Sequence, residues 1–287
     1  YWDYESGLAV RTRERAASPP PAHLDIGRLQ AAIRRNFVGG GGPGTDWQQV
    51  AVAVAVLKRF TVITGGPGTG KTTTVAKILS VWEELHRGLP VRTLLAAPTG
   101  KAAARLKESL RQRPDRPAPA DGGGTGPPCE VHTLHRLLRP VRGTPLFQHN
   151  AENPLPVDLM IVDEVSMVDL ALMAKLVDAL PGAARLVLIG DRDQLASVEA
   201  GSVLGDICGR LRRPGFSPEF GEVLRRVTGQ TVPPATGGRP LQDCIVELQA
   251  SYRFAAGSAI GEISRAVNRG DGPGMVEILS RTGKGTV

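Results

Sequence analysis

A chain of 287 residues with 41% hydrophobic and 22% charged residues has the composition of a globular protein with a sizeable core. Its longest purely apolar run, 50–57, is eight residues, far short of the ~20 that span a bilayer, so no membrane role is expected. Thirty-five Lys and Arg against 28 Asp and Glu give a net charge of +7, which suits a polyanionic partner.

Cys129, Cys208 and Cys244 are widely spaced with no C-x-x-C pair, and no signal-peptide pattern opens the chain. Both features point to a reducing, cytoplasmic setting. The chain begins at Tyr1 rather than Met and stops at Val287 without an evident closing element, so a fragment of a longer protein is expected.

Residues 1–23 are charged and then proline-rich and read as a linker. Leu29, Ile33 and Phe37 stand at helical spacing and predict a short helix over 24–38. A glycine-rich break at 39–44 follows, and Asp46 is placed to cap a helix running to Lys58. The β-prone run 60–64 then leads into Gly65-Gly66-Pro67-Gly68-Thr69-Gly70-Lys71-Thr72, with Thr73 next and a helix predicted over about 71–86.

Strand, glycine-rich turn and helix N-terminus are the context of a phosphate-binding loop. The glycines permit backbone angles that turn several N–H groups onto one anion, and the helix end adds partial positive charge. Lys71 adds a full charge against the β- and γ-phosphates, and the Thr72 hydroxyl is suited to Mg²⁺. Thr73 is placed to help on the α-phosphate side. The chain is therefore expected to bind a nucleoside triphosphate.

Downstream, a second strand is predicted at 92–98 and a basic amphipathic helix at 99–112, followed by a Pro/Gly-rich surface loop at 113–128. A brief helix is expected at 132–138, a third strand at 157–162, a helix at 170–180 and a fourth strand at 185–189. Residues 201–211 read as helical, 212–243 as a long irregular segment, 245–248 as a strand and 258–268 as a last helix. Strands alternating with helices predict an open, mostly parallel α/β sheet with helices on both faces.

Asp163 and Glu164 close the apolar third strand. A carboxylate at such a tip can hold Mg²⁺, and its neighbour can polarise the attacking water. Gly190-Asp191-Arg192-Asp193-Gln194 ends the fourth strand, where Gln194 can report the γ-phosphate.

Gln48, the phosphate loop, 96–103, 163–166, 190–195 and 251–253 stand in the order of superfamily 1 helicase motifs. The stretches 65–77, 96–106, 133–138, 191–208 and 251–254 resemble more narrowly the alpha chains of bacterial exonuclease V, the RecD family. That resemblance implies a RecA-like ATPase acting as a 5′→3′ DNA helicase motor in double-strand break repair. Its implied cofactors are ATP and Mg²⁺. Its implied partners are single-stranded or duplex-end DNA and the beta and gamma subunits of a heterotrimeric helicase–nuclease.

By motif position the resemblance implies that Gln48 reads adenine, Asp163 and Thr72 hold Mg²⁺, Glu164 activates water and Gln194 senses the γ-phosphate. Arg253 would supply a finger, and Pro98, Thr99, Lys101, Thr133 and His135 would touch DNA. The implied organisation is an N-terminal remnant and linker at 1–43, a first motor domain at 44–245 and the start of a second at 246–287. Val165 stands in motif II where the family usually has Ala.

A stand-alone 5′→3′ helicase of the same superfamily and a truncated, non-catalytic ATP- or partner-binding module are the alternatives. Cys129, His132 and His135 have a zinc-like spacing, but no fourth ligand is near and zinc is not expected.

Overall fold

The computed structural model describes residues 1–20, 24–37, 44–112, 130–194, 203–209, 215–235, 241–250 and 259–282. Six strands form one sheet: β1 (Phe60–Thr64), β2 (Thr93–Ala97), β3 (Glu130–Thr133), β4 (Leu159–Val162), β5 (Arg185–Gly190) and β6 (Ile245–Glu247). Their spatial order is β3-β2-β4-β5-β1-β6, and every neighbouring pair is parallel. The phosphate-loop strand β1 and the acidic strand β4 are thus separated by β5 alone. All their carboxyl ends lie on one edge, where ligands of open α/β sheets bind.

Period-two alternation divides the sheet between two cores. Ile63, Ile161, Val187 and Ile189 face a layer that includes α2 (Ile26–Asn36), α3 (Trp47–Leu57), α4 (Lys71–Leu85) and α9 (Pro218–Thr228). Leu106 of α5 (Gly100–Arg111) joins the same core. Val62, Met160, Val162, Leu186 and Leu188 face α1 (Trp2–Ala17), α6 (Leu134–Leu138), α7 (Leu170–Asp178) and α8 (Val203–Cys208). Helices α10 (Ala259–Arg269) and α11 (Gly272–Thr282) pack on each other.

Helix α3 positions one rim of the site, and its sequence carries competing tendencies. Val50, Val52, Val54 and Val56 alternate with alanines, a strand-like pattern, and Val lies about half a kcal/mol below Ala in helix propensity. Every one of these valines is fully buried, and each stabilises by about 1.5–3 kcal/mol when removed from water, so burial wins. The start is fixed by the Asp46 carboxylate, which accepts from the Gln48 and Gln49 N–H groups.

Four expectations are corrected. Residues 2–17, read as part of a linker, form α1, which lies against α7. The buried Arg15 guanidinium clamps it by donating to the carbonyls of Ala184, Leu180 and Pro181 at 2.8, 2.8 and 3.0 Å. The helix expected over 132–138 starts only at Leu134, because 130–133 pair with β2 as β3. The segment 212–243, read as irregular, contains α9, capped by the Ser217 hydroxyl and ended by Gly229 at φ 73°. Helix α11 follows the helix expected to be last. The loop expected at 113–128 lies outside the described residues.

Candidate active site

The phosphate loop runs from the end of β1 into α4. Gly68 and Gly70 sit at φ 78° and 82°, in the left-handed region where a side chain is strained. A Cβ on Gly65 would stand 2.6 Å from the Thr69 hydroxyl and 3.0 Å from the Leu248 Cβ, so glycine is required there. Within the loop the Thr69 hydroxyl donates to the Gly66 carbonyl at 2.9 Å. The Lys71 ammonium donates to the carbonyls of Gly65 and Gly66 at 2.6 and 3.1 Å. Thr72 is partly exposed and Thr73 exposed on the first turn of α4. Gln48, at the start of α3, reaches the rim of the loop and donates from Nε2 to the Thr69 carbonyl at 3.4 Å.

The acidic pair follows β4 on the same edge. The Asp163 N–H donates to the Ala96 carbonyl of β2, and the Asp163 carboxylate accepts from the Glu164 N–H at 2.9 Å. Burial pushes the Asp163 carboxyl up to about 6; the Glu164 N–H and the Lys71 ammonium act against that rise, and the Glu164 charge adds to it. Glu164 itself has φ 56° and ψ 40°, a left-handed backbone at a non-glycine residue, which costs ~1–2 kcal/mol.

Between these two motifs lies the tip of β5. The Gly190 carbonyl accepts from the Gly65 N–H at 3.2 Å. A Cβ on Gly190 would fall 2.7 Å from Leu204 Cδ2 and within 3.3 Å of the Ser166 and Val165 nitrogens. The turn beyond it closes through Asp191, whose carboxylate accepts from Asp193 N–H and whose carbonyl accepts from Gln194 N–H. Ser166 then donates from Oγ to Gln194 Oε1 at 2.6 Å. The structure thus brings Gln48, 65–73, Asp163, Glu164 and Gln194 to one edge of the sheet.

The Asp163 carboxylate and the Thr72 hydroxyl are oxygen donors of the kind Mg²⁺ takes. Asp163 is close enough to Lys71 for the ammonium to lower its proton affinity, and Gly66 has open space where a Cβ would stand. The residues present fit a nucleotide with its divalent cation.

Thr99, two residues past the end of β2, and Thr133, the last residue of β3, cap α5 and α6, their hydroxyls accepting from the Ala102 and Arg136 N–H groups. Pro98 and Lys101 flank Thr99, and His135 lies on α6 with its ring 5.8 Å from that of Phe147. These five residues lie farther along the sheet edge, beyond β4. His132 pairs with Glu130 at 2.8 Å. Arg253 lies outside the described residues. Sequence reasoning missed Ser166, Arg192 and Glu247, whose partners stand 28 or 55 positions away; no local pattern marks such pairs.

An all-parallel sheet with a phosphate loop, an acidic strand tip and the Gln194 turn between them defines a P-loop NTPase of RecA-like architecture. The chain belongs to the AAA domain family, whose model matches residues 48–200.

It is 42% identical over 239 residues to the RecBCD enzyme subunit RecD of Haemophilus influenzae, covering 82% of this chain and 37% of that protein. It is also 42% identical over 290 residues to the RecBCD enzyme subunit RecD of Mycobacterium tuberculosis strain H37Rv, covering 97% and 42%. The ATP-dependent RecD2 DNA helicase of Deinococcus radiodurans is 47% identical over 143 residues, 50% of this chain and 17% of that one. The chain spans about two-fifths of the length of the RecD relatives. Among the described residues no helix is long and apolar enough to cross a membrane.

Proposed function

We propose that this chain carries the ATP-hydrolysing site of a 5′→3′ DNA helicase motor that works as a subunit of a helicase–nuclease in double-strand break repair, in the cytoplasm. The observation that carries the reading is the packing of Gly190 between Gly65 and the Val165–Ser166 backbone. Through it the phosphate loop, the acidic pair and Gln194 form one unit, as hydrolysis coupled to movement requires. The names of the RecD relatives support the DNA substrate and the multisubunit setting. The beta and gamma partners and the polarity are carried over from the family resemblance as part of this proposal.

In this reading Gln48 recognises the adenine edge, and Gly65–Thr73 with Lys71 hold the phosphates. Asp163 and Thr72 would hold Mg²⁺, which when bound neutralises charge on the β- and γ-phosphates. Glu164 takes the proton of the attacking water, Gln194 senses the γ-phosphate, and Arg253 stabilises the transition-state charge. Pro98, Thr99, Lys101, Thr133 and His135 hold the DNA backbone without reading bases. The first motor domain takes in 44–245 together with α1 and α2, which pack into the two cores of its sheet, and the second motor domain opens within 246–287, beyond β6.

The test is phosphate release with and without single-stranded DNA, beside Lys71→Ala and Glu164→Gln. DNA-stimulated turnover lost in both variants, with nucleotide still bound by Glu164→Gln, is expected. Nucleotide binding indifferent to Lys71, or turnover indifferent to Glu164, would overturn the reading.

A further inference from the structure

Arg192 stands inside the sensor turn but bonds out of it. Its N–H donates to the Thr64 hydroxyl at 3.1 Å, at the last residue of β1 before the phosphate loop. Its guanidinium donates to the Glu247 carboxylate at 3.0 Å, at the end of β6. Thr64 and Glu247 are register partners, and the Thr64 carbonyl accepts from the Leu248 N–H at 2.8 Å. Leu248 in turn presses on Gly65, where a Cβ would stand 3.0 Å from its own. One residue therefore ties the tips of β5, β1 and β6 together at the first glycine of the phosphate loop, its backbone holding β1 and its side chain β6.

The pair is only about one-fifth to one-quarter exposed at each side chain. A half-buried carboxylate that lost its guanidinium would be left without that partner, so the turn and β6 hold each other in place. Gln194 follows two residues later on the same turn, where the Ser166 hydroxyl donates to its side chain.

We infer that Arg192, through Glu247 and Thr64, is a positioning residue that holds Gln194 toward the phosphate end of the site. Through this link the state of the γ-phosphate is also transmitted to β6. The inference rests on the proposed nucleotide site and adds to it a relay between the sensor turn and the edge strand.

The experiment compares the affinities of ATPγS and ADP for the wild-type chain, Arg192→Ala, Arg192→Lys, Glu247→Gln, Gln194→Ala and the Arg192→Ala/Gln194→Ala double variant. Thermal unfolding of each serves as the folding control. Arg192→Ala and Glu247→Gln should each cut the preference for ATPγS over ADP by about tenfold, a usual size for a coupling of this kind, while ADP affinity stays within about twofold. Arg192→Lys should recover part of the preference. On the Gln194→Ala background, Arg192→Ala should change nothing further.

Equal losses for ADP and ATPγS would reduce Arg192 to a structural bond and overturn the relay, as would fully additive effects of Arg192→Ala and Gln194→Ala. A wild-type chain that binds both nucleotides alike would overturn it too, yet leave the phosphate loop intact. A wild-type chain that binds neither would overturn the nucleotide site itself.

Discussion

Ser166 Oγ and Gln194 Oε1 lie 2.6 Å apart across the tips of β4 and β5. Ser166 is buried and Gln194 exposed, so the hydroxyl is the fixed member and the amide the one being oriented. With its oxygen accepting from Ser166, the Gln194 amide turns its two N–H donors outward, the polarity that a phosphate oxygen needs. The acidic motif therefore sets the direction of the Gln194 amide.

Ser166→Ala should disable that orientation without disturbing the fold, since solvent can reach Gln194. A neutral hydrogen bond of this kind is worth about 1 kcal/mol, or roughly fivefold in rate. The expected result is kcat for nucleotide hydrolysis reduced by about that factor, with the nucleotide KM unchanged. Steady-state phosphate release across a nucleotide titration measures both. A rise in KM at constant kcat would show that Ser166 supports binding and not the sensor.

Glu164 offers a separate test, because its backbone carries a cost that its side chain does not explain. At φ 56° a residue with a Cβ is strained and glycine is not. Glu164→Gly should therefore be more stable than Glu164→Ala by about 1 kcal/mol, while neither turns over nucleotide. Urea unfolding of the two variants decides it. Equal midpoints would mean that the left-handed turn relaxes once the glutamate is gone.

The legible parts of this molecule were those written in contiguous residues. Glycines at Gly68 and Gly70, the acidic pair after β4 and the Asp46 cap all act within a few positions of themselves, so spacing exposes them. Helix α9 carried such marks as well, in Ser217, Pro218 and Gly229, but the prolines and glycines around it read as loop. Strand β3 has only Val131 as an apolar residue and exists through its pairing with β2. Helix α1 is held by Arg15 on carbonyls more than 160 positions away. Arg192 and Glu247 are joined in the same non-local way, and a charged pair at that distance looks like two surface residues in a sequence.

Asp163 should leave a mark on stability even without nucleotide. Burial raises its carboxyl from the usual carboxylate value to about 6 in the folded chain. Between the unfolded value near 4 and the folded value near 6, the native state therefore holds more proton than the unfolded state. Stability must then fall as pH rises through that window and level off above it. A shift of about two units corresponds to about 3 kcal/mol lost by pH 7.5.

Asp163→Asn does not titrate, yet keeps an oxygen to accept from the Glu164 N–H. In EDTA the variant should gain on the wild type by about 1.4 kcal/mol between pH 5 and pH 7.5, the other half of the loss falling below pH 5, while losing divalent-dependent turnover. Urea unfolding at the two pH values measures the difference. If the wild type instead gained on the variant as pH rose, attraction to Lys71 would outweigh desolvation, and the carboxylate would be held by the phosphate loop rather than kept ready for a cation.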